Sequence, residues 1–371
     1  MALPKYHLTK EILKEQIING KFKPNDRFLS VREIIQDYSV SRVTAFRILN
    51  ELSKEGFVSI RNGVGTFVRD RSSQTRDPEN NIVLVTFAEN FTNQFHLNVL
   101  NGAKKCFSKQ DCNIMYEWVT LNSWNKEPNK KEFSFLKTKL TRMKKDNKIL
   151  GMILTGTLSG NTAEALKGTG IPCVVAGDLS EPEIPDGLDI IGNDSFLYAY
   201  KAVKYLTGLK HKRIGCIIDD ANVSWLHERL RGYKTALKDA GLAIEKELII
   251  PAPGGKPDKG YLAMKQLLKL KNPPTAVFCG DDRITMGAMK AVAELGLKIP
   301  ENLSIIAISS SEETEYYYPK LTFIRYLPRK VGETAVKTLL DKIKNKTTHK
   351  EKRVLIEAEF VEGTSCKRII S

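Results

Sequence analysis

The sequence contains no C-x-x-C pair, no H-E-x-x-H, no G-x-x-x-x-G-K-[ST] and no G-x-S-x-G. Its five histidines and six cysteines, at 106, 112, 173, 216, 279 and 366, are scattered. Zinc-ligand spacing is therefore absent, and no metal or cofactor is expected. Without the phosphate-cradling loop or the nucleophile elbow, P-loop NTPases and α/β-hydrolases are excluded. Most cysteines sit inside apolar runs and read as small core residues of a reducing compartment. No uncharged apolar run approaches 18 residues, so no membrane-spanning helix is expected. The start, "MALPKYHLTKEILKEQ", has no apolar segment of a secretory signal, and a cytoplasmic location follows as an expectation.

Charge is abundant, with a net +15 over 371 residues and an isoelectric point near 9.4. Such a balance favours a polyanionic partner. Residues 1–71 hold 13 Lys and Arg against 8 Asp and Glu. A dense basic stretch, "KTKLTRMKKDNK" (137–148), reads as a solvated helix face. The length predicts two or three domains.

The first 70 residues change period several times. Leu8, Ile12, Leu13 and Ile17 form a helical stripe that Gly20 stops. Ser30 with Glu33 three residues on is a capping box before "VREIIQDYS". Ser41 caps a longer helix with Ala45, Ile48, Leu49 and Leu52 inward, and Gly56 ends it. "FVSI-RNGV-GTFV" then alternates around Asn62-Gly63, a hairpin signal. Helix, turn, helix and two-stranded wing make a winged helix-turn-helix. Its second helix would enter the major groove by its N-terminal end, where backbone N–H groups and the helix dipole favour phosphate. Arg42 and Arg47 can fork onto guanine or phosphate, and Thr44 reaches either. Structural roles stand beside these. Ser41 can cap and touch phosphate, Arg47 can be a surface arginine, and Arg32 can pair with Glu33 or Asp37.

At this point the stretch "GKFKPNDRFLSVREIIQDYSVSRVTAFRILNELSKEGFVSIRNGVGTFV" resembles the GntR family of bacterial regulators, over residues 5–69. The resemblance implies DNA contacts at Arg32, Arg42, Thr44 and the wing tip Asn62-Gly63. Phe46 departs from the pattern, because many members carry a second arginine there. With Ser41 and Arg47, these residues form the expected DNA-reading set for a palindromic double-stranded operator.

Residues 70–80, within "RDRSSQTRDPENN", read as a linker. Beyond it, seven apolar β-branched runs (82–87, 113–119, 149–154, 172–176, 213–218, 275–279 and 303–308) alternate with helical stretches. That order predicts an α/β architecture, a doubly wound parallel sheet in two lobes. The expected lobes are 81–189 with 327–346, and 190–326 with 352–371. The chain would cross between them near 189–193, 325–328 and 346–352. Ligands of open α/β sheets bind beyond the carboxyl ends of the strands. Asp178, Asp219, Asp220, Asp281 and Asp282 all follow strands, as do Glu89 and the serines 309–311. Carboxylates accept from hydroxyl pairs, Arg229 supplies a fork of donors, and Trp225, Phe95 or Tyr326 can cover a sugar face. Asp219 and Asp281 read first as caps of the following helices. Arg229 can pair with Glu228 instead, and Trp225 and Phe95 can be core aromatics.

This half resembles the effector domain of the LacI/GalR family, a periplasmic-binding-protein-like sensor, from 81 to about 362. The resemblance rests on "IGNDSFLYAYKAVKYLTGLKHKRIGCI", "HERLRGYKTALKDAGL", "PPTAVFCGDDRITMGAMKAVAELGLKIPENLSIIAI" and "YYYPKLTFIRY". It implies effector contacts at Arg229, Asp282 and Asp178 and a polar hinge position at Tyr326. The combination resembles arabinose-responsive regulators. It implies a repressor of carbohydrate metabolism, a homodimer whose operator affinity a monosaccharide or derivative controls. A nucleoside or purine sensor and a sugar-binding enzyme are the alternatives on the same fold. Against an enzyme, the first strand region "IVLVTFAENFTNQ" has no G-x-G-x-x-G, and "GTLSG" has its serine one place off the hydrolase elbow. GntR readers fused to aminotransferase-like domains need a longer partner and a Schiff-base lysine that has no candidate here.

Overall fold

Two hydroxyl caps organise the N-terminal unit. In this computed structural model, helix α1 spans Lys5–Ile18, α2 Val31–Tyr38 and α3 Arg42–Lys54. Ser30 Oγ accepts from Glu33 N at 3.3 Å, and Ser30 N donates to the Glu33 carboxylate at 2.6 Å. Ser41 Oγ accepts from Thr44 N at 3.1 Å and starts α3. Leu13, Ile34, Ala45, Ile48 and Leu52 are fully buried between the helices. Ile12, expected inward, lies at the surface, and Leu8's side chain lies outside the described residues. Lys10 and Lys14 both reach Glu55, at 2.7 and 3.0 Å, and tie α1 to the end of α3. Strands β1 (Val58–Arg61) and β2 (Gly65–Val68) pair antiparallel with Arg61 opposite Gly65. The expected turn residues, Asn62 and Gly63, lie outside the described residues, as do the linker 70–80 and Glu89.

The structure describes residues 5–18, 20–61, 64–69, 81–88, 94–107, 112–121, 128–146, 148–179, 187–220, 223–345 and 353–370. It divides into two units, Met1–Asp77 and Pro78–Ser371. The larger unit is built on two six-stranded sheets. The first contains β3 (Asn81–Ala88), β4 (Asn113–Thr120), β5 (Gly151–Leu158), β6 (Cys173–Leu179), β7 (Asp189–Asn193) and β13 (Arg353–Ile356), in the order β13-β7-β6-β5-β3-β4. The second contains β8 (Ile214–Ile218), β9 (Ile249–Pro251), β10 (Ala276–Cys279), β11 (Ser304–Ser309), β12 (Thr322–Arg325) and β14 (Glu359–Val361), in the order β14-β12-β11-β10-β8-β9. All pairs are parallel except β12 with β14. Helices α4 (Gln94–Phe107), α5 (Lys130–Lys145), α6 (Gly160–Lys167) and α11 (Pro328–Lys344) belong to the first lobe. Helices α7 (Ser195–Gly208), α8 (Ser224–Asp239), α9 (Pro257–Leu268) and α10 (Asp282–Glu294) belong to the second. Central strands such as β8, β10 and β11 are buried along their whole length, as a helix-covered parallel sheet requires.

The lobe boundaries differ from those expected. β7 pairs with β6, and β13 pairs with β7, so residues 190–193 and 353–356 belong to the first lobe. The chain therefore crosses at Asp194, at Tyr326–Leu327 and at Glu357–Ala358. The expected crossing at 346–352 lies outside the described residues, and β13 beyond it is still paired in the first lobe. Five strands beyond the expected seven are present, and each is only three to five residues long. Helix α11 is also additional; Pro328 in its first turn and the spacing Val331, Ala335, Val336, Leu339 are the signal that marks it.

Three helix pairs approach closely through glycine, among them α7 and α8 through Gly232, where a Cβ would lie 2.3 Å from Phe196 O. A Cβ on Gly102 of α4 would lie 1.9 Å from Arg329 O of α11, and one on Gly287 of α10 would lie 1.7 Å from Pro257 O of α9. These helices touch backbone to backbone. Among the described residues, no helix is long and apolar enough to cross a membrane.

Candidate functional site

The exposed start of α3 carries Arg42, Val43, Phe46 and Arg47. Ser41 and Thr44 share a hydrogen bond between their hydroxyls at 2.8 Å, so capping occupies the Ser41 side chain. Arg42 is exposed, rests 6.0 Å from the Phe46 ring and has no ion pair among the described residues. Arg32 is likewise exposed and unpaired, because Glu33 is taken by the Ser30 cap, whose hydrogen bonds hold that carboxyl below its ordinary pKa. Arg47 differs: its Nε lies 3.5 Å from Glu51 and its guanidinium 4.4 Å from the Tyr6 ring. It is drawn toward α1. Thr44 is half-buried. The sequence-derived set omits Val43 and Phe46, which are 78% and 48% exposed. For Phe46 the signal was its departure from the pattern that the resemblance implies; Val43 carried none.

In the larger unit, polar groups collect where the strands end. Arg229, on α8, is only 6% exposed. Its Nη1 donates to Gly280 O at 2.6 Å, the Trp225 ring lies 4.6 Å from the guanidinium, and the Tyr326 ring lies 6.0 Å away. Its Nε has no hydrogen-bond partner. Glu228 pairs with Arg231 rather than with Arg229, and Arg231 stacks on Phe196 at 4.0 Å. Asp282 accepts from Ser309 Oγ at 3.2 Å, and burial raises its pKa against the pull of Ser309 and Arg229. Asp178 ends β6 in the other lobe. Burial pushes its pKa up to about 6, while Arg229, Arg353 and an Asn193 backbone hydrogen bond oppose the rise. Asp281 caps α10 by accepting from Ile284 N at 2.8 Å, and burial, with Asp282 and Asp219 adding, lifts its pKa to about 7. Asp219 does not cap α8. It accepts from Gly254 N at 2.9 Å, and α8 begins at Val223 without a side-chain cap.

A cavity of about 740 Å³ is lined by Asp178 and Asn193 of the first lobe and by Phe196, Trp225, Glu228 and Arg231 of the second; of the expected effector residues Asp178 and Trp225 line it, and Arg229, Asp282, Tyr326 and Phe95 do not. The Oδ1 of Asn193 is buried without a partner. Phe95 packs on the first lobe's core and meets His96 edge to face at 5.5 Å. His96 is a residue the sequence did not mark. It is 5% exposed, its Nδ1 lies 3.4 Å from Thr155 Oγ1, and its Nε2 has no partner. Burial lowers its pKa to about 4, so the ring is neutral. A hollow of about 780 Å³ along α5 is lined by Phe133, Lys137 and Arg142 and gathers no buried polar groups.

The carboxylates give a pH dependence. Asp178 and Asp281 rise from an ordinary 3.8 to about 6 and about 7 in the fold. A raised carboxylate holds its proton in the folded state where the unfolded chain has lost it. The stability this contributes is fully present below the unfolded value and is lost as pH rises through 6 to 7. The ligand-free protein is expected to lose melting temperature across that window, and the Asp178→Asn/Asp281→Asn double variant to lose less. Identical slopes for parent and double variant, measured by calorimetry, would contradict the assignment.

Comparison with known proteins places both units. Residues 5–68 match the bacterial regulatory proteins of the gntR family, and residues 203–366 match the periplasmic binding protein-like domain. The HTH-type transcriptional repressor CytR of Escherichia coli (strain K12) is 33% identical over 238 residues, 64% of this chain and 67% of its own length. The HTH-type transcriptional repressor PurR of Vibrio atlanticus (strain LGP32) is 35% identical over 171 residues, 46% of this chain and 50% of its own. A LacI family transcriptional regulator from Enterococcus faecium, solved with bound ribose, superposes with a TM-score of 0.64 at 24% identity, covering 78% of this chain and all of that one. The transcriptional regulator CelR in complex with cellobiose gives 0.65 at 20% identity, covering 98% and 99%. The chain is a DNA-binding transcriptional regulator: it belongs to the LacI-type HTH transcriptional repressors by its two-lobed sensor and carries a gntR-family helix-turn-helix domain at its N terminus.

Proposed function

We propose that this regulator binds a sugar-like, polyhydroxylated effector between the two lobes of its sensor, and that the effector controls operator affinity. One observation carries the reading: both lobes line a cavity in which Asn193 Oδ1 is buried without a partner, and Arg229 Nε, also buried and unpartnered, belongs to the guanidinium packed on Trp225 of that lining. One is a donor and the other an acceptor. Buried polar atoms are ordinarily paired, and a ligand rich in hydroxyls supplies both kinds of partner. Asp178 accepts hydroxyls, Arg229 donates, Asp282 stands behind Ser309, and Trp225 offers a face for C–H groups. Tyr326 sits at a crossing between the lobes. The solved relatives holding ribose and cellobiose support the same ligand class. A nucleoside is the second reading, because Phe196 and Trp225 both line the cavity and its volume of about 740 Å³ exceeds what one sugar ring fills.

Arg32, Arg42 and the wing would hold the operator, with Asn62 and Gly63 at the wing tip. A single winged helix reads few base pairs, so a homodimer on a palindrome supplies the specificity. Within α4, Phe107 is buried on its own sheet and Leu100 half-buried, which leaves Leu97 as the exposed apolar contact of that helix. Leu262 and Met286 are exposed on α9 and α10. These faces support pairing of the sensors. Lobe closure about the three crossings would be the switch.

The test is a thermal-shift panel of monosaccharides, sugar phosphates and nucleosides on the full chain. Operator titration and sedimentation with each stabilising compound follow. A hydroxyl-rich compound is expected to raise the melting temperature and to change operator affinity of a dimer. A protein monomeric on DNA, or one whose operator affinity ignores every ligand it binds, refutes the mechanism.

A further inference from the structure

Resting on the reading that α3 enters the major groove, we propose that Val43 and Phe46 determine specificity by recognising thymine, through its C5-methyl group, at two positions of each half-site. The helix sorts its apolar residues sharply. Ala45, Ile48, Leu49 and Leu52 are 0–3% exposed, whereas Val43 is 78% and Phe46 48% exposed. At 100° per residue, Arg42, Val43, Phe46 and Asn50 fall on one stripe about 100° wide, whose centre lies about 120° around the helix from that of the buried face. Two large apolar groups held in water on that stripe contribute nothing to the core of the domain.

The surroundings indicate the occupant. Arg42 shares the stripe with them, and the same unit carries further exposed arginines, Arg32 on α2 and Arg61 on β1. A polyanion suits that charge, and an apolar protein segment does not. Within the major groove, hydrogen-bonding edges distinguish the bases, and thymine alone presents a methyl group. Val43 and Phe46 have no donor or acceptor, so they cannot read guanine, adenine or cytosine through their polar edges. Burying a methyl is the discrimination open to them. Phe46 also lies under the Arg42 guanidinium at 6.0 Å, which aims Arg42 at the base pair next to the one Phe46 covers.

The experiment uses the full chain. Half-sites are first selected from a randomised duplex pool, and each thymine of the selected operator is then replaced singly by uracil, which removes only the methyl. Two positions per half-site are expected to lose about fourfold in affinity, the worth of one buried methyl group. Val43→Ala should abolish the uracil penalty at one of them and Phe46→Ala at the other, while Arg42→Ala keeps both. Circular dichroism melting controls for folding, which these exposed positions should leave unchanged. Indifference of the parent to uracil at every thymine overturns the proposal while leaving DNA reading intact. Failure to enrich any duplex overturns both, and is the result expected if the stripe binds protein. Uracil penalties that survive in Val43→Ala and Phe46→Ala assign the methyl contacts elsewhere and also overturn it.

Discussion

Arg42→Ala is expected to bind the operator about 5- to 150-fold more weakly than the parent, a loss of about 1–3 kcal/mol. The magnitude is that of one bidentate base contact. Arg42 is suited to it because no carboxylate competes for its guanidinium among the described residues, and it is the first residue of α3. The positive end of the helix dipole adds to its charge at that place. Arg47→Ala should cost less, because Arg47 is already engaged by Glu51 and Tyr6 in the free protein. Arg42→Lys should not restore binding, since a lysine has no planar fork. Operator affinity of the parent should fall steeply with salt, as phosphate neutralisation releases counterions. Gel-shift titration decides the matter: an Arg42→Ala protein that binds like the parent means that α3 does not read the operator.

Arg229→Ala is expected to weaken effector binding by about 3 kcal/mol, roughly 150-fold, because it strands the ligand's acceptor in a dry site. The same residue has three neighbours with separate roles. Gly280 O fixes one end of the guanidinium, Trp225 covers its face, and Asp178 reaches it electrostatically from the opposite lobe. Removing it therefore also releases Asp178, whose raised pKa should climb further once the cation is gone. Binding by the variant should then improve with pH over a range higher than in the parent. Calorimetry with the compound found in the thermal-shift panel tests both statements. Unchanged affinity would remove Arg229 from the site while leaving the fold as it stands.

Local chemistry was legible in the sequence and distant pairing was not. Ser30 with Glu33, and Ser41 with Thr44, are contacts within one helical turn, and the caps lie where the letters put them. The seven expected strands are rich in apolar and β-branched residues, so they too were readable. β7 and β13 were not: "DIIGN" and "RVLI" are no shorter than β8 and β10, but polar residues interrupt or open them, and β13 finds its partner β7 only from far along the chain. The lobe boundaries shifted with them. Arg229, Asp178 and Asp282 were marked by their positions after strands or in a family motif, and of these Asp178 lines the cavity between the lobes. The carboxylate of Asp219 turned out to serve Gly254, 35 residues away, rather than the helix beside it. His96 escaped notice because "QFHLN" reads as an ordinary amphipathic turn, and only the packed sheet shows its ring buried against Thr155.

The glycine contacts between α4 and α11 and between α9 and α10 have a mechanical meaning. Helices that meet backbone to backbone have no side-chain layer in which to slip, so on the proposed reading each lobe would move as a stiff plate. Compliance is left to the three short connections at Asp194, Tyr326–Leu327 and Glu357–Ala358. Such a device responds to torque and is blind to local crowding. A molecule that fills one plate's surface binds and turns nothing. On the proposed reading, a molecule long enough to engage Asp178 and Arg229 together would rotate one plate against the other. Reach across the gap, more than tightness of binding, then separates an inducing ligand from an inert one.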